Sequence, residues 1–318
     1  MTRPIVGIDL GGTHMQVGVV DEANEIIAEH RTTTRADRGP VAILDRIAEA
    51  AVEAAAKVDC AAADLAAIGV AVPGALDLTN GVVLDSPNLG WEDMPVRDEL
   101  RGRLGCPIVL DNDVNAAAWG EWTIGAAQGS GDMLAVWVGT GVGGGVVIGG
   151  ELYHGTRQTA GEIGQTVILP DAPRGFRIVE DLCSRNGMSR CVLRDLDAFG
   201  DSCLRKILKA NGGLVPSREF AAAIDAGDEL ARHTVDRAAK LLGVAIANQV
   251  TMFSLDVVVI GGGITESLGQ PFIETIRASF EDAVFPDELR SVPLRMTALT
   301  NNAGLLGAAM LARSATRG

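Results

Sequence analysis

The sequence predicts an α/β protein built from two similar halves. Short apolar runs of strand composition alternate with alanine-rich runs whose apolar positions recur at helical spacing. A strand, a glycine turn and a second strand open the chain over residues 4–20, and the same order of elements returns from residue 133. No low-complexity linker separates the halves, so two domains packed around a shared cleft are expected.

In order, PIVGID (4–9), MQVGVV (15–20) and EIIAEHRTT (25–33) read as three successive strands. Residues 41–58 follow with helical periodicity. AAIGVAV (66–72) is a buried strand ending at Pro73-Gly74, PIVLD (107–111) is another, and an alanine-rich helix spans about 114–126. The second half starts with the strand MLAVWV (133–138), a glycine turn over Gly139–Gly145, and a strand through VVIGGELY. Helices fill about 178–253, DVVVI (256–260) is a strand, GGGITE a turn, and AGLLGAAMLAR (303–313) a closing helix. The expected domains are 1–118 with 303–318, and 119–302.

Composition narrows the function. The net charge of −14 argues against nucleic acid or an anionic membrane as partner, while backbone N–H groups and a metal ion still allow an anionic substrate. MTRPIVGIDL enters a strand at once, which leaves no room for a signal peptide, and no run reaches transmembrane length. Five scattered cysteines fit reduced thiols in a cytoplasm; Cys183, Cys191 and Cys203 lack a CxxC pair or a neighbouring histidine, so they read as structural thiols.

Three glycine turns follow strands, at Gly11-Gly12-Thr13, from Gly139 and at Gly261-Gly262-Gly263. Glycine lets successive N–H groups converge on a phosphate. Gly139, Gly141 and Gly144 satisfy GxGxxG with Glu162 about twenty positions on, but VVIGGELYHG is poor helix material, so a dinucleotide fold is rejected. GxxxxGK[ST] does not occur. Strand, glycine turn and strand, given twice, instead resembles the actin-like, ribonuclease H-like architecture of sugar kinases and ATPases, whose two turns pinch a nucleotide's phosphates. Asp9, just before the first turn, suits Mg²⁺ carried by ATP, although a turn cap is its plainer structural role.

Asn112 and Asp113 stand between a strand end and a helix start, where open α/β sheets bind ligands. Either residue suits a helix cap; as a functional group, Asp113 is a candidate general base for a sugar hydroxyl attacking a γ-phosphate. DLGGT (9–13), PNLGW (87–91), NDVNAA (112–117), GTGVGGG (139–145), AGEIG (160–164) and VVIGGG (258–263) occur in the order seen in the ROK family, and nearly the whole chain resembles its bacterial ATP-dependent glucokinases. The resemblance implies that Asp113 is the catalytic base and that Asn88, Asn112, Asp113, Glu162 and Glu180 bind sugar hydroxyls. It further implies that Gly11, Gly12, Thr13, Gly139, Thr140 and Gly141 hold phosphates, and that Gly262 and Gly263, with residues 303–307, lie on the nucleoside side. A homodimer is also implied.

The sequence departs from the family in one loop. Many ROK kinases follow GEIG with a histidine and then a cysteine cluster that together bind zinc. Here Gln165 takes the histidine position and PDAPRGFRIVE has no thiol, which predicts a zinc-free loop held by packing of Phe176, Ile178 and Val179. His14, where the family often has lysine, receives no role. The expected function is ATP-dependent phosphorylation of the 6-hydroxyl of glucose or a related hexose. An N-acetylhexosamine kinase (for N-acetylmannosamine, for example) and a non-catalytic sugar-binding relative are the alternatives. A family repressor, with its N-terminal helix-turn-helix, fits poorly with a strand beginning by residue 4 and an acidic charge.

Overall fold

The computed structural model describes residues 3–317. Its contacts divide the chain into two compact units: Met1–Gly129 with Leu152–Ala160 and Asn301–Gly318, and Ser130–Glu151 with Gly161–Thr300.

In the first unit, β1 (Ile5–Leu10), β2 (His14–Val20) and β3 (Ile26–Thr33) form an antiparallel meander. Helix α1 (Pro40–Ala56) crosses to β4 (Ile68–Val72), which pairs parallel with β1. A small sheet of β5 (Ala75–Asp77), β6 (Val82–Ser86) and β7 (Trp91–Met94) follows. Helix α2 (Val96–Leu104) then leads to β8 (Ile108–Asn112), parallel to β4, and to α3 (Asp113–Thr123). The strand order of the main sheet is β3-β2-β1-β4-β8. Ile43, Leu44 and Ile47 of α1 and Leu100 and Leu104 of α2 bury against one face of this sheet, each large side chain contributing about 1.5–3 kcal/mol.

The second unit repeats that plan. Strands β9 (Met133–Val138) and β10 (Val142–Ile148) are antiparallel, β11 (Glu151–Leu152) borders β10, and helices follow. They are α4 (Val179–Cys183), α5 (Arg185–Asp195), α6 (Leu204–Ala210), α7 (Ser217–Asp225) and the long α8 (Glu229–Phe253). Strand β12 (Val257–Gly261) then pairs parallel with β9, and β13 (Leu294–Met296), reached through α9 (Gly263–Leu268) and α10 (Gln270–Ala283), pairs parallel with β12. The order β11-β10-β9-β12-β13 matches the first sheet strand for strand: an antiparallel meander with two parallel strands added beside its first member. The chain returns to the first unit as α11 (Ala303–Arg317), which lies directly on β1 and β4. A Cβ on Gly7 or Gly69 would stand 2.1 or 1.8 Å from an α11 carbonyl oxygen, so only glycine permits that approach.

Two expectations need correction, and some elements have no counterpart in the sequence pattern. Gly143, Gly144 and Gly145 are not turn residues but lie within β10, because the ladder with β9 resumes at Val142. GGGITE is not a turn, since Gly263 opens α9. The β5-β6-β7 sheet and helices α2 and α10 were not anticipated, because charged residues interrupt their apolar pattern. No helix among the described residues is long and apolar enough to cross a membrane.

Candidate active site

In the first unit, the sequence-selected residues gather where β1 and β8 end. The β1–β2 turn holds itself open: Gly11 N–H donates to His14 O at 2.9 Å, and the Thr34 hydroxyl donates to Gly11 O at 2.6 Å. Those bonds engage both polar groups of Gly11, while among the described residues neither Gly12 nor Thr13 N–H donates to a backbone carbonyl of the turn. Asn88 abuts Gly12, its Cβ 3.1 Å from where a Gly12 Cβ would be. Its place follows from local composition, because Leu89 and Trp91 are buried and the Trp91 indole N–H donates to Pro40 O at 3.1 Å. The exposed asparagine is left on the outside of the turn.

Asn112 is the N-cap of α3, its Oδ1 accepting from Val114 N–H at 2.9 Å while its Nδ2 donates to Gly74 O at 3.2 Å. The capping role therefore belongs to Asn112. Asp113 is the first residue of the helix, half-buried, and accepts from Val114 N–H at 3.0 Å. Burial pushes its carboxyl above the ordinary value, against the lowering pull of those N-terminal donors. Asp9 is half-buried at the end of β1, and burial first, then the Asp113 charge, push it up to about 6. Gly304 of α11 makes room for it: a Cβ there would lie 2.6 Å from the Asp9 carboxylate. A buried carboxylate raised in part by a second carboxylate's charge forms a site poised for a proton or a hard cation.

A neighbouring network escaped the sequence analysis. Asp111, 4 % exposed, accepts from His154 Nε2 at 2.8 Å, Asn115 Nδ2 at 3.0 Å and Asn112 N–H at 2.8 Å. The Asp111 hydrogen bond holds the His154 imidazole above its ordinary value against the opposing effect of burial. On a strand, Asp111 faces away from Asn112, which is the only signal the sequence offered; His154 lies too far along the chain for spacing to reveal it.

In the second unit, the β9–β10 turn repeats the construction of the first. Gly139 N–H donates to Gly141 O at 2.9 Å and Gly139 O accepts from Arg185 N–H at 2.9 Å, so both polar groups of the turn's first glycine are again engaged. Gly141 packs against Glu180, the second residue of α4, where a Cβ would stand 2.4 Å from Oε2. Glu180 Oε2 accepts from Val142 N–H at 2.9 Å, and Gln165 Nε2 donates to Oε1 at 3.5 Å. Gln165 and Glu180 are thus brought together on the border of the turn. Glu162 is exposed on a loop that lies flat on β10: a Cβ on Gly161 or Gly164 would be 2.6 or 2.0 Å from a β10 carbonyl oxygen. Glycine on both sides of this glutamate is therefore demanded by close approach. Gly262, at φ 91°, bends the chain from β12 into α9 beside Val138, and Gly263 begins that helix.

The loop after Gln165 closes through its own backbone. Ile168 and Leu169 N–H donate to Arg177 O at 2.9 and 3.0 Å, Val167 bridges Ile178, Val179 is fully buried and Phe176 packs on the core under the Arg194 guanidinium, 5.0 Å away. Among the described residues no group of three or more histidine, cysteine or acidic side chains could hold a metal ion.

Paired sheets of ribonuclease H-like order, each carrying a glycine turn between its first two strands, define the actin-like class of phosphotransferases and their relatives. Residues 5–315 match the ROK family model, and the chain belongs to the ROK family. It is 32 % identical to a glucokinase of Halalkalibacterium halodurans, covering 98 % of this chain and 95 % of that one. The glucokinase of Thermotoga maritima is 31 % identical, over 96 % of each. Among solved structures, the ROK hexokinase of Thermus thermophilus superimposes with a TM-score of 0.82 at 33 % identity, covering 99 % of both chains. A ROK glucokinase of Streptomyces griseus, in complex with glucose and AMPPNP, gives 0.80 at 30 % identity over 98 % of this chain and 99 % of that one.

Proposed function

We propose that this protein is an ATP-dependent hexose kinase that phosphorylates the 6-hydroxyl of glucose or a related hexose. The observation that carries the reading is Asp113. Its carboxyl is half-buried at the head of α3, with Asn112 taking the cap and leaving the carboxylate for other chemistry. Burial raises its basicity, which suits a group that takes a proton from an alcohol. In the proposed step the sugar oxygen attacks the γ-phosphorus, the bond to the bridging oxygen breaks, ADP leaves, and the hydroxyl proton passes to Asp113.

Asn88 and Asn112 in the first unit, and Glu162, Gln165 and Glu180 in the second, are assigned to sugar hydroxyls, since amides and carboxylates can meet vicinal hydroxyls from two sides. Gly11, Gly12, Thr13, Gly139, Thr140 and Gly141 are assigned to phosphates, and Gly262 and Gly263 to the nucleoside side. Asp9 fits Mg²⁺, because it is a poorly compensated carboxylate pushed up to about 6, and Mg²⁺ needs only one or two protein oxygens beside phosphate. Bound with the nucleotide, the ion would neutralise phosphate charge. The loop from Gln165 to Glu180 is proposed to work without zinc. The reading extends to a homodimer in the cytoplasm, with no nucleic-acid or membrane partner, in keeping with the net charge of −14.

A coupled ADP-release assay over hexoses and N-acetylhexosamines tests the function. Glucose or a close relative should give the highest kcat/KM. Asp113→Asn should lower kcat by about 10²–10⁴-fold with little change in either KM. Preference for an N-acetylhexosamine would transfer the assignment to that class, turnover with no sugar would leave a non-catalytic sugar binder, and full activity in the variant would remove the base.

A further inference from the structure

One cation on the second glycine turn has no part in the assignments above. Arg185 opens α5, and two of its groups bond the turn. Its main-chain N–H holds Gly139 O at 2.9 Å, its Nη2 donates to the Thr140 hydroxyl at 2.8 Å, and its Nε is buried with no hydrogen-bond partner. An arginine cannot accept, so Thr140 Oγ1 is the acceptor in that bond and the hydroxyl's own proton is left to donate elsewhere. Among the described residues, neither Thr140 N–H nor Gly141 N–H donates to a backbone carbonyl of the turn. The turn therefore offers two backbone donors, one oriented hydroxyl and a guanidinium with one of its five N–H groups engaged by that hydroxyl, while its buried Nε–H has no partner.

The same turn also carries a charge that opposes an anion. Glu180 Oε2 stands 2.4 Å from where a Gly141 Cβ would be, and the chain as a whole is at −14. Neutral N–H groups beside a carboxylate are a weak site for a polyphosphate, and a fixed cation on the turn removes that conflict. Arginine suits the place better than lysine, because a planar fork can bond the hydroxyl and a phosphate oxygen at once.

We propose that Arg185 is a phosphate-binding residue of the second glycine turn, its guanidinium gripping the terminal phosphates of the nucleotide together with the Thr140 hydroxyl that it orients. The proposal rests on the kinase reading for the identity of the nucleotide, but its chemistry requires only a polyphosphate. A clamp that merely stiffens the turn is the competing role.

The test is calorimetric binding of AMPPNP, AMP and inorganic tripolyphosphate, each with Mg²⁺, to the full chain and to Arg185→Gln and Arg185→Lys. Loss of a charge-assisted contact should weaken AMPPNP and tripolyphosphate by roughly 10–100-fold in Arg185→Gln while AMP changes less than about twofold. Arg185→Lys, which keeps the charge without the fork, should fall between. In turnover, KM for ATP should rise and KM for the sugar should stay. Equal weakening of AMPPNP and AMP, or a lower melting temperature with unchanged tripolyphosphate affinity, would overturn the proposal in favour of the clamp. If the parent chain ignores AMPPNP but binds tripolyphosphate through Arg185, the kinase reading fails and this inference stands. If it binds neither, both fail. Should Arg185→Gln not fold, unchanged tripolyphosphate affinity in Arg185→Lys overturns the proposal, and a graded loss with AMP binding intact supports it.

Discussion

Replacing Asp9 by asparagine should make the ligand-free protein more stable and less active. The Asp9 carboxyl is raised from 3.8 to about 6, first by burial and then by the Asp113 charge. The folded state therefore binds this proton more tightly than the unfolded chain does, and stability falls as pH rises from the unfolded to the folded value. A shift of that size is about 3 kcal/mol lost to the native state once pH exceeds both values. Asparagine keeps the shape and cannot ionise, so Asp9→Asn should recover about 3 kcal/mol at pH 8 and only about half of that at pH 5, where the native carboxyl is already mostly protonated. For a unit of this size the gain at pH 8 corresponds to a midpoint about 6–12 °C higher. Calorimetric or fluorescence melting of the apo protein at the two pH values measures it. Asp113→Asn should also stabilise the apo protein at pH 8, because it removes that residue's own buried charge as well as the lesser of the two causes acting on Asp9. A variant no more stable than the parent at pH 8, or a gain equal at both pH values, would refute the reasoning. KM for Mg-ATP should rise in the same variant, so a carboxylate that costs stability is explained by what it binds.

Other outcomes follow from the neighbouring network and the altered loop. His154 is raised by Asp111, so its contribution is full below its unfolded value near 6.5 and declines as pH climbs through the higher folded value. His154→Ala leaves a nearly buried carboxylate with two of its three donors, and should cost about 1–3 kcal/mol at pH 6 in urea unfolding, with a smaller deficit at pH 9; a pH-independent deficit would speak against a charged imidazole. Metal analysis of dialysed protein should find no zinc, and one tightly held zinc per chain would contradict the packing account of residues 166–178.

Much of the architecture was legible because its signals are local. Apolar β-branched runs ending in glycine marked β1, β4, β9 and β12, and the absence of helix formers after Gly145 correctly kept that stretch from being read as a dinucleotide fold. The twofold return of strand, turn and strand announced two alike sheets, though only pairing shows that they share one order. The glycines of β10 misled, because glycine serves both turns and close contacts. Gly144 stands in a strand under the Gly161 carbonyl, a contact whose partner lies 17 residues away. The charged β5-β6-β7 sheet had no clean alternation to reveal it.

The candidate site divides along the same line. The sequence alone determined the chemical inventory: glycines that can expose N–H groups, an Asn-Asp pair at a helix start, and a loop in which glutamine and apolar side chains replace metal ligands. Those properties belong to single residues and their immediate neighbours. Only the tertiary structure decided that Asn112 rather than Asp113 caps α3, that the Asp113 charge helps to raise Asp9, that His154 closes on Asp111, and that Arg185 sits on the second turn. Proton affinity and hydrogen-bond partnership depend on burial and on charges a few ångströms away. Sequence separation says nothing of either until the chain has folded.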